Sequence, residues 1–218
     1  MIEGLIDKRD NFEIVRDQIA GILAAEIANQ VTYGSDINFL VTVENSAPVE
    51  RWLNTEQWDD VDETPVVNVT YETTSFNRSA SSTFHRQSGT GVFNVDAYAL
   101  GVSRDNPDGG HTLGDVEAAF RLDSVVRMVR NILTSAQNYQ LGLRGVVSGL
   151  WIPTVTRMRP EYNGQALQNI AASRIVLEVG FMEFSPQVEG HPFEQLHIEV
   201  SSTTGEVMII ADYPEPSA

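Results

Sequence analysis

There is no cysteine in these 218 residues, and Lys8 is the only lysine beside thirteen arginines. Without cysteine the chain has no disulfide, no thiolate nucleophile and none of the cysteine-based zinc sites. That suits folding in a reducing cytoplasm. No run approaches the ~18 apolar residues that a membrane-spanning helix needs. The start, MIEGLIDKRDNFEIV, carries Glu3 and Asp7 and has no apolar stretch of signal-peptide length. Positive charge is scarce too: 14 basic residues face 30 acidic ones, for a net charge of −16. A protein that grips phosphate backbones needs the opposite balance. Such acidity keeps a chain soluble by self-repulsion, or it makes a surface that DNA passes without sticking.

Catalytic signatures are also missing. There is no GxSxG elbow, P-loop, kinase signature or HExxH pair, and Gly89-Thr90-Gly91 precedes a strand where a dinucleotide turn must open a helix. The most site-like segment is RDNPDGGHTLGD, 104–115. Counted as a calcium loop it puts Asn106, Asp108 and Gly109 at the third, fifth and sixth positions and Asp115 at the twelfth. Arg104 then occupies the first position, where a carboxylate belongs. A Gly/Pro/Asp turn leading into a helix cap is the simpler reading. A metal-dependent hydrolase built on Asp105, Asp108, His111 and Asp115 is the enzymatic alternative. No catalytic, cofactor-binding or metal-ligating residue is assigned.

What is present is a core. Hydrophobic residues make up 42%, with nine Phe, six Tyr and three Trp, enough to fold without staples. Phe12, Val15, Ile19, Ile22, Leu23 and Ile27 predict a helix from Asn11 to Gln30, capped by Asp10 or Asn11. Ile37, Phe39, Val41 and Val43 alternate as in a half-buried strand. A loop with one helical turn follows over 45–64, and then a strand through Val67, Val69 and Tyr71. Phe93, Val95, Ala97 and Ala99 mark a strand at 91–100, so a polar loop of nearly 20 residues, 73–90, separates two strands. Loops of that length are uncommon in compact domains and are generally functional or disordered.

Ala119, Leu122, Val126, Val129, Leu133 and Ala136 form the stripe of a helix near 115–137, widened by Val125 and Ile132. Glu117–Arg121 and Asp123–Arg127 are spaced for i,i+4 pairs in the favourable order, and Thr112 with Asp115 resembles a capping box. VVSGLWIPTVTRM, 146–158, reads as a strand interrupted at Pro153. Ile175, Leu177, Val179 and Phe181 alternate in another strand over 173–184. Leu196, Ile198 and Val200 against Val207 and Ile209 predict a C-terminal β-hairpin. Strands outnumber helices without βαβ alternation. The expected class is therefore α+β, a mixed or antiparallel sheet packed on two main helices. One domain should span 1–213, with 214–218 as a tail.

Charge is uneven along the chain. Residues 78–174 hold ten arginines against seven acids, whereas 175–218 hold eight acids and no Lys or Arg. These are either neighbouring faces of one domain or complementary edges that meet across a subunit boundary.

Residues 109–160 and 173–187 resemble proteins of the head–tail junction of contractile-tailed bacteriophages, tail terminators among them. The GHTLGD turn, the arginine-bearing helix after it, the LGLRG step and the EFSPQ strand end carry the resemblance. It implies a structural subunit without enzymatic activity or cofactor, closing into a ring, commonly sixfold, that terminates the tail tube and joins tail to head. Another neck component, a collar, stopper or connector, fits the same pattern. The implied partners are further copies of the chain, the tail tube and sheath proteins, and neck or portal-side proteins. Viral DNA would pass through the lumen without specific binding, and no membrane is involved. The implied location is the virion, after assembly in the host cytoplasm. Candidate interface residues are Phe76, Arg78, Phe84 and Arg86 in the long loop, and Arg121, Arg127 and Arg130 on the helix.

Overall fold

The computed structural model describes residues 9–53, 62–77, 86–105, 110–162, 165–166, 169–184, 196–201 and 207–213. In chain order these form α1 (Asn11–Thr32), β1 (Leu40–Val43), α2 (Glu50–Leu53), β2 (Val66–Phe76) and β3 (Arg86–Leu100). Then come β4 (Arg104–Asp105), β5 (His111–Thr112), α3 (Gly114–Leu133) and a 3-10 turn at Ala136–Asn138. β6 (Val147–Met158), β7 (Glu161–Tyr162), β8 (Gln165–Ala166) and β9 (Ile170–Phe184) follow, and β10 (Leu196–Ser201) and β11 (Val207–Tyr213) end the series. The class is α+β, with a five-stranded mixed sheet.

The sheet runs in the order β1-β2-β3-β9-β6; only β1 and β2 are parallel, and every other neighbour pair is antiparallel. Period-2 alternation sends Val67 and Val69 of β2, Phe93, Val95 and Ala97 of β3, and Ile175, Leu177 and Val179 of β9 to one face. Val15, Ile19, Leu23 and Ile27 of α1 close over them, together with Leu122, Val125, Val129 and Leu133 of α3. At about 25 cal/mol per Å² of apolar area removed from water, this single core is the main stabilising term. Phe12 stacks on Tyr71 with ring centroids 4.3 Å apart and pins the start of α1 to β2. A smaller cluster of Trp52, Val66, Leu100 and Ile170 lies on the opposite face, and Trp52 Nε1 donates to the Asp62 carbonyl at 2.9 Å.

Several expectations need correcting. β2 and β3 stay paired out to Phe76↔Gly89, so residues 73–76 and 86–90 are ladder and the connection shortens to 77–85. Glycine makes this possible: a Cβ at Gly89 would stand 2.9 Å from the Phe76 ring, and one at Gly91 2.7 Å from the Phe181 ring. Polar, periodless sequence here hides a strand because the small residues sit under aromatics. Leu122, Val125, Val129, Ile132 and Leu133 of the expected α3 stripe are buried, but Ala118 is buried where Ala119 was expected, and Ala136 is exposed beyond the helix end. Leu113, not Thr112, is the N-cap, and the Ser103 hydroxyl accepts the Gly114 amide at 2.9 Å. Asp123 pairs with Arg157 of β6 and not with Arg127.

The break in β6 and the C-terminal hairpin are as expected. β6 breaks register between Trp151 and Thr154, around Pro153. The LGLRG step puts Leu141, Gly142 and Gly145 at positive φ, and the glycines release the chain from α3 toward β6. β10 and β11 pair antiparallel as a C-terminal hairpin. The chain groups into two compact units: Asp7–Phe184, and Met1–Ile6 with Ser185–Ala218. Among the described residues no helix is long and apolar enough to cross a membrane.

Candidate assembly surfaces

The face of the sheet away from α1 and α3 carries one continuous polar row. Register aligns Thr42 of β1, Asn68 of β2, Asp96 of β3, Arg174 of β9 and Thr156 of β6 across all five strands. Thr42 Oγ1 donates to Asn68 Oδ1 at 3.0 Å, and Asn68 Nδ2 donates to the Asn45 carbonyl at 2.9 Å, which ties the loop after β1 to the sheet. Arg174 donates through Nε and Nη2 to the two oxygens of Asp96, both at 2.7 Å. Asp96 is 4% exposed, so this fork is the carboxylate's main compensation for leaving water. Hydrogen bonding to Asp96 raises the Arg174 pKa above its ordinary value. Burial, followed by the Asp96 charge, pushes the Tyr98 hydroxyl up to about 12, so it stays neutral. Beside the row, Asn94 Nδ2 donates to Glu72 at 2.9 Å, while its buried Oδ1 has no partner among the described residues.

Each sheet edge is different. β1 is four residues long and has a ladder partner on one side only among the described residues; its side chains Leu40 and Val43 are exposed. Asp36 and Glu44 flank it. β6 is twelve residues long, also paired on one side, and exposes Trp151 and Val155, with Arg157 and Arg159 at its end. Pro153 and the bulge around it interrupt pairing in mid-strand, a common way of blunting an edge. Beyond it, Thr154–Met158 forms an unbroken ladder segment.

Two of the clefts that adjoin α3 bear exposed aromatic side chains. One, of about 740 Å³, lies between Asp36–Asn38, Asp62–Pro65, Arg104 and the middle of α3. Its wall is an ion network in which Glu63 sits between Arg104 and Arg121, and Arg121 also meets Glu117 at 2.7 Å. Glu63 Oε2 is sealed from solvent and accepts no well-aligned hydrogen bond, so its link to Arg121 is ionic. Hydrogen bonds from the Thr64 hydroxyl and amide lower the Asp62 pKa. Phe120, at the cleft margin, is 70% exposed, and Leu113 and Val116 extend an apolar stripe along α3. The second cleft, of about 570 Å³, lies between the end of α3 and β6 and is lined by Arg130, Leu133, Tyr139, Leu150 and Trp151.

The candidate residues from sequence separate accordingly. Phe76 ends β2 half-exposed over Gly89, and Arg78 and Phe84 lie outside the described residues. Arg86 opens β3 opposite Phe184, and only its backbone is described. Arg121 is held by Glu117 and Glu63 of its own chain. Arg127 reaches the Ser124 hydroxyl at 3.4 Å, and Arg130 borders the second cleft. Of the segment 104–115, Asp105 pairs with His111 at 2.9 Å, Asp115 bonds the Val116 amide, and Asp108 is outside the described residues. Among the described residues no three His, Asp or Glu side chains converge as metal ligands. Sequence missed Trp151, Tyr139 and Phe120 as exposed aromatics. The only available signal was their displacement from the period-2 and helical stripes around them. No protein-family model matches the chain, and a comparison with curated proteins finds no match.

Proposed function

We propose that the chain is a structural subunit of a phage head–tail junction, a tail terminator or another neck component, which closes into a ring of identical copies. The observation that carries the reading is a five-stranded sheet ending in two dissimilar edges, unpartnered among the described residues, each with exposed apolar side chains. A closed ring needs a heterologous contact, with two different patches on every copy. A sheet with unlike ends meets that need directly. The sequence resemblance over 109–160 and 173–187 supplies the setting, and the net charge of −16 suits a conduit from which DNA phosphates are repelled. In this role the chain works by assembly: it ends tube growth and offers a docking surface toward the head.

Light scattering behind a sizing column, across a concentration series and with tail-tube protein added, tests the reading. The expected result is a defined closed multiple of 24.1 kDa, alone or on tube ends, visible as rings by electron microscopy. A chain that stays monomeric at every concentration and ignores tube protein overturns it.

A further inference from the structure

We infer that neighbouring copies join by continuing one sheet, with Val155–Met158 of β6 in one copy pairing antiparallel with Leu40–Val43 of β1 in the next. This inference rests on the ring reading and specifies its interface. Strand directions set the orientation. β1 and β2 run one way, β3 the other, β9 back again and β6 opposite to β1. Copies related by rotation about an axis along the strands keep those directions, so β6 meets the next β1 antiparallel.

Length and register agree. Pro153 and its bulge leave five regular residues on β6, Thr154–Met158, enough to cover the four of β1. A one-residue slip would turn every side chain to the wrong face, so only registers that keep the faces aligned are available. The one that uses all four residues pairs Val155 with Val43, Thr156 with Thr42, Arg157 with Val41 and Met158 with Leu40. Val–Val and Thr–Thr pairs are the β-branched matches that sheets favour. Thr156 and Thr42 are also the two ends of the polar row, which would then run unbroken from copy to copy.

Charge agrees as well. Just past Met158, Arg159 is exposed and has no ion pair within the described residues; in this register it falls opposite Phe39, three residues after the exposed Asp36. An acidic chain with few cations thus places one at the end of the strand whose partner is flanked by acid. The occupant favoured by length, direction, register and charge together is a second copy of this chain.

The absence of cysteine provides the test. Val43→Cys and Val155→Cys change exposed positions, 38% and 42% accessible, so folding is kept. Cross-strand Cα spacing of about 4.5–5.5 Å lies within disulfide reach. Under mild oxidation the double variant should give a ladder of linked multimers on a non-reducing gel. Each single variant should give none, and their mixture should give one linked dimer. Thr42→Cys with Thr156→Cys should behave alike, whereas Thr42→Cys with Val155→Cys, on opposite faces, should not. A protein that forms rings by mass yet links through neither matched pair overturns the inference and leaves the ring reading standing. Linking by a single variant alone shows a twofold contact and overturns it too. A strict monomer removes the ring reading, and the inference with it.

Discussion

Replacing Arg174 by methionine should destabilise the Asp7–Phe184 unit by about 2–3 kcal/mol, through what it leaves behind at Asp96. The carboxylate is 4% exposed and takes both of its close bonds, each 2.7 Å, from this one guanidinium. Breaking a fully buried pair costs about 3–5 kcal/mol because the remaining charge is stranded. The Arg174 side chain, however, is 41% exposed, so water enters from its side and the figure falls toward the lower end. The reverse change is cheaper. Asp96→Asn leaves a guanidinium that turns to solvent, at about 1 kcal/mol. The double variant D96N/R174M should recover part of the loss, with a coupling of about 1–2 kcal/mol. Urea unfolding followed by circular dichroism reads this as a midpoint shift of about 1 M for R174M at unchanged slope, taking a slope near 2 kcal/mol per M. Equal costs for the two single changes, or strict additivity in the double, would refute the argument that the asymmetry comes from burial.

Gly101→Ala should cost about 3 kcal/mol or abolish folding, because its Cβ would stand 2.0 Å from the Gly114 carbonyl and 2.4 Å from the Ala118 amide, backbone atoms that cannot yield. Gly21→Ala, with nothing within 4 Å on α1, should instead stabilise by about 0.5–1 kcal/mol; thermal melts distinguish the two. Asp62 has a folded pKa lowered from 3.8, so its contribution is present above that value and is lost as pH falls through the folded pKa. Asp62→Asn should therefore flatten the acid limb of the stability profile below about pH 4, read by melts in a pH series. Asp36→Arg and Arg159→Asp should each weaken self-association about fivefold at low salt, some 1 kcal/mol, and the double reversal should restore it, measured by sedimentation.

Elements with a clean period were legible from sequence because one face of each meets a single core. Val67 and Val69, Phe93 to Ala97, and Ile175 to Val179 alternate because α1 and α3 cover only one side of the sheet. The ends of β2 and β3 were not legible. There, Gly89 and Gly91 make room for Phe76 and Phe181, so burial is arranged by absent side chains and no hydrophobic pattern remains. The start of the α3 stripe was read through Ala119 where Ala118 is buried. Ala118 and Ala119 are both small and apolar, so composition does not separate them; Gly101 packs against the backbone of Gly114 and Ala118. Partner choice was the least legible. Asp123 had a well-spaced arginine on its own helix and paired with Arg157 instead, because register places that residue on the helix-covered face of β6. The polar row had no sequence signal at all: its five members lie on five strands and meet only through the ladder.

A four-residue strand contact is small, and its size has consequences for how a ring would form. About four backbone hydrogen bonds at a net 0.5–1.5 kcal/mol each, with two β-branched pairs at 0.2–1, give roughly 2–8 kcal/mol of attraction. Bringing two copies together costs at least about 4 kcal/mol in lost translational and rotational freedom. An isolated pair of chains is then marginal. The copy that closes a ring makes two contacts for a single loss of freedom, so closure carries a bonus that no open chain receives. Open dimers and trimers should therefore be scarce at every concentration, with monomer passing to the closed ring across a narrow range. Blunting β6 with Pro153 fits this logic. A longer ladder would hold open chains together and let them grow, whereas a weak contact that becomes stable only on closure yields a structure of defined size.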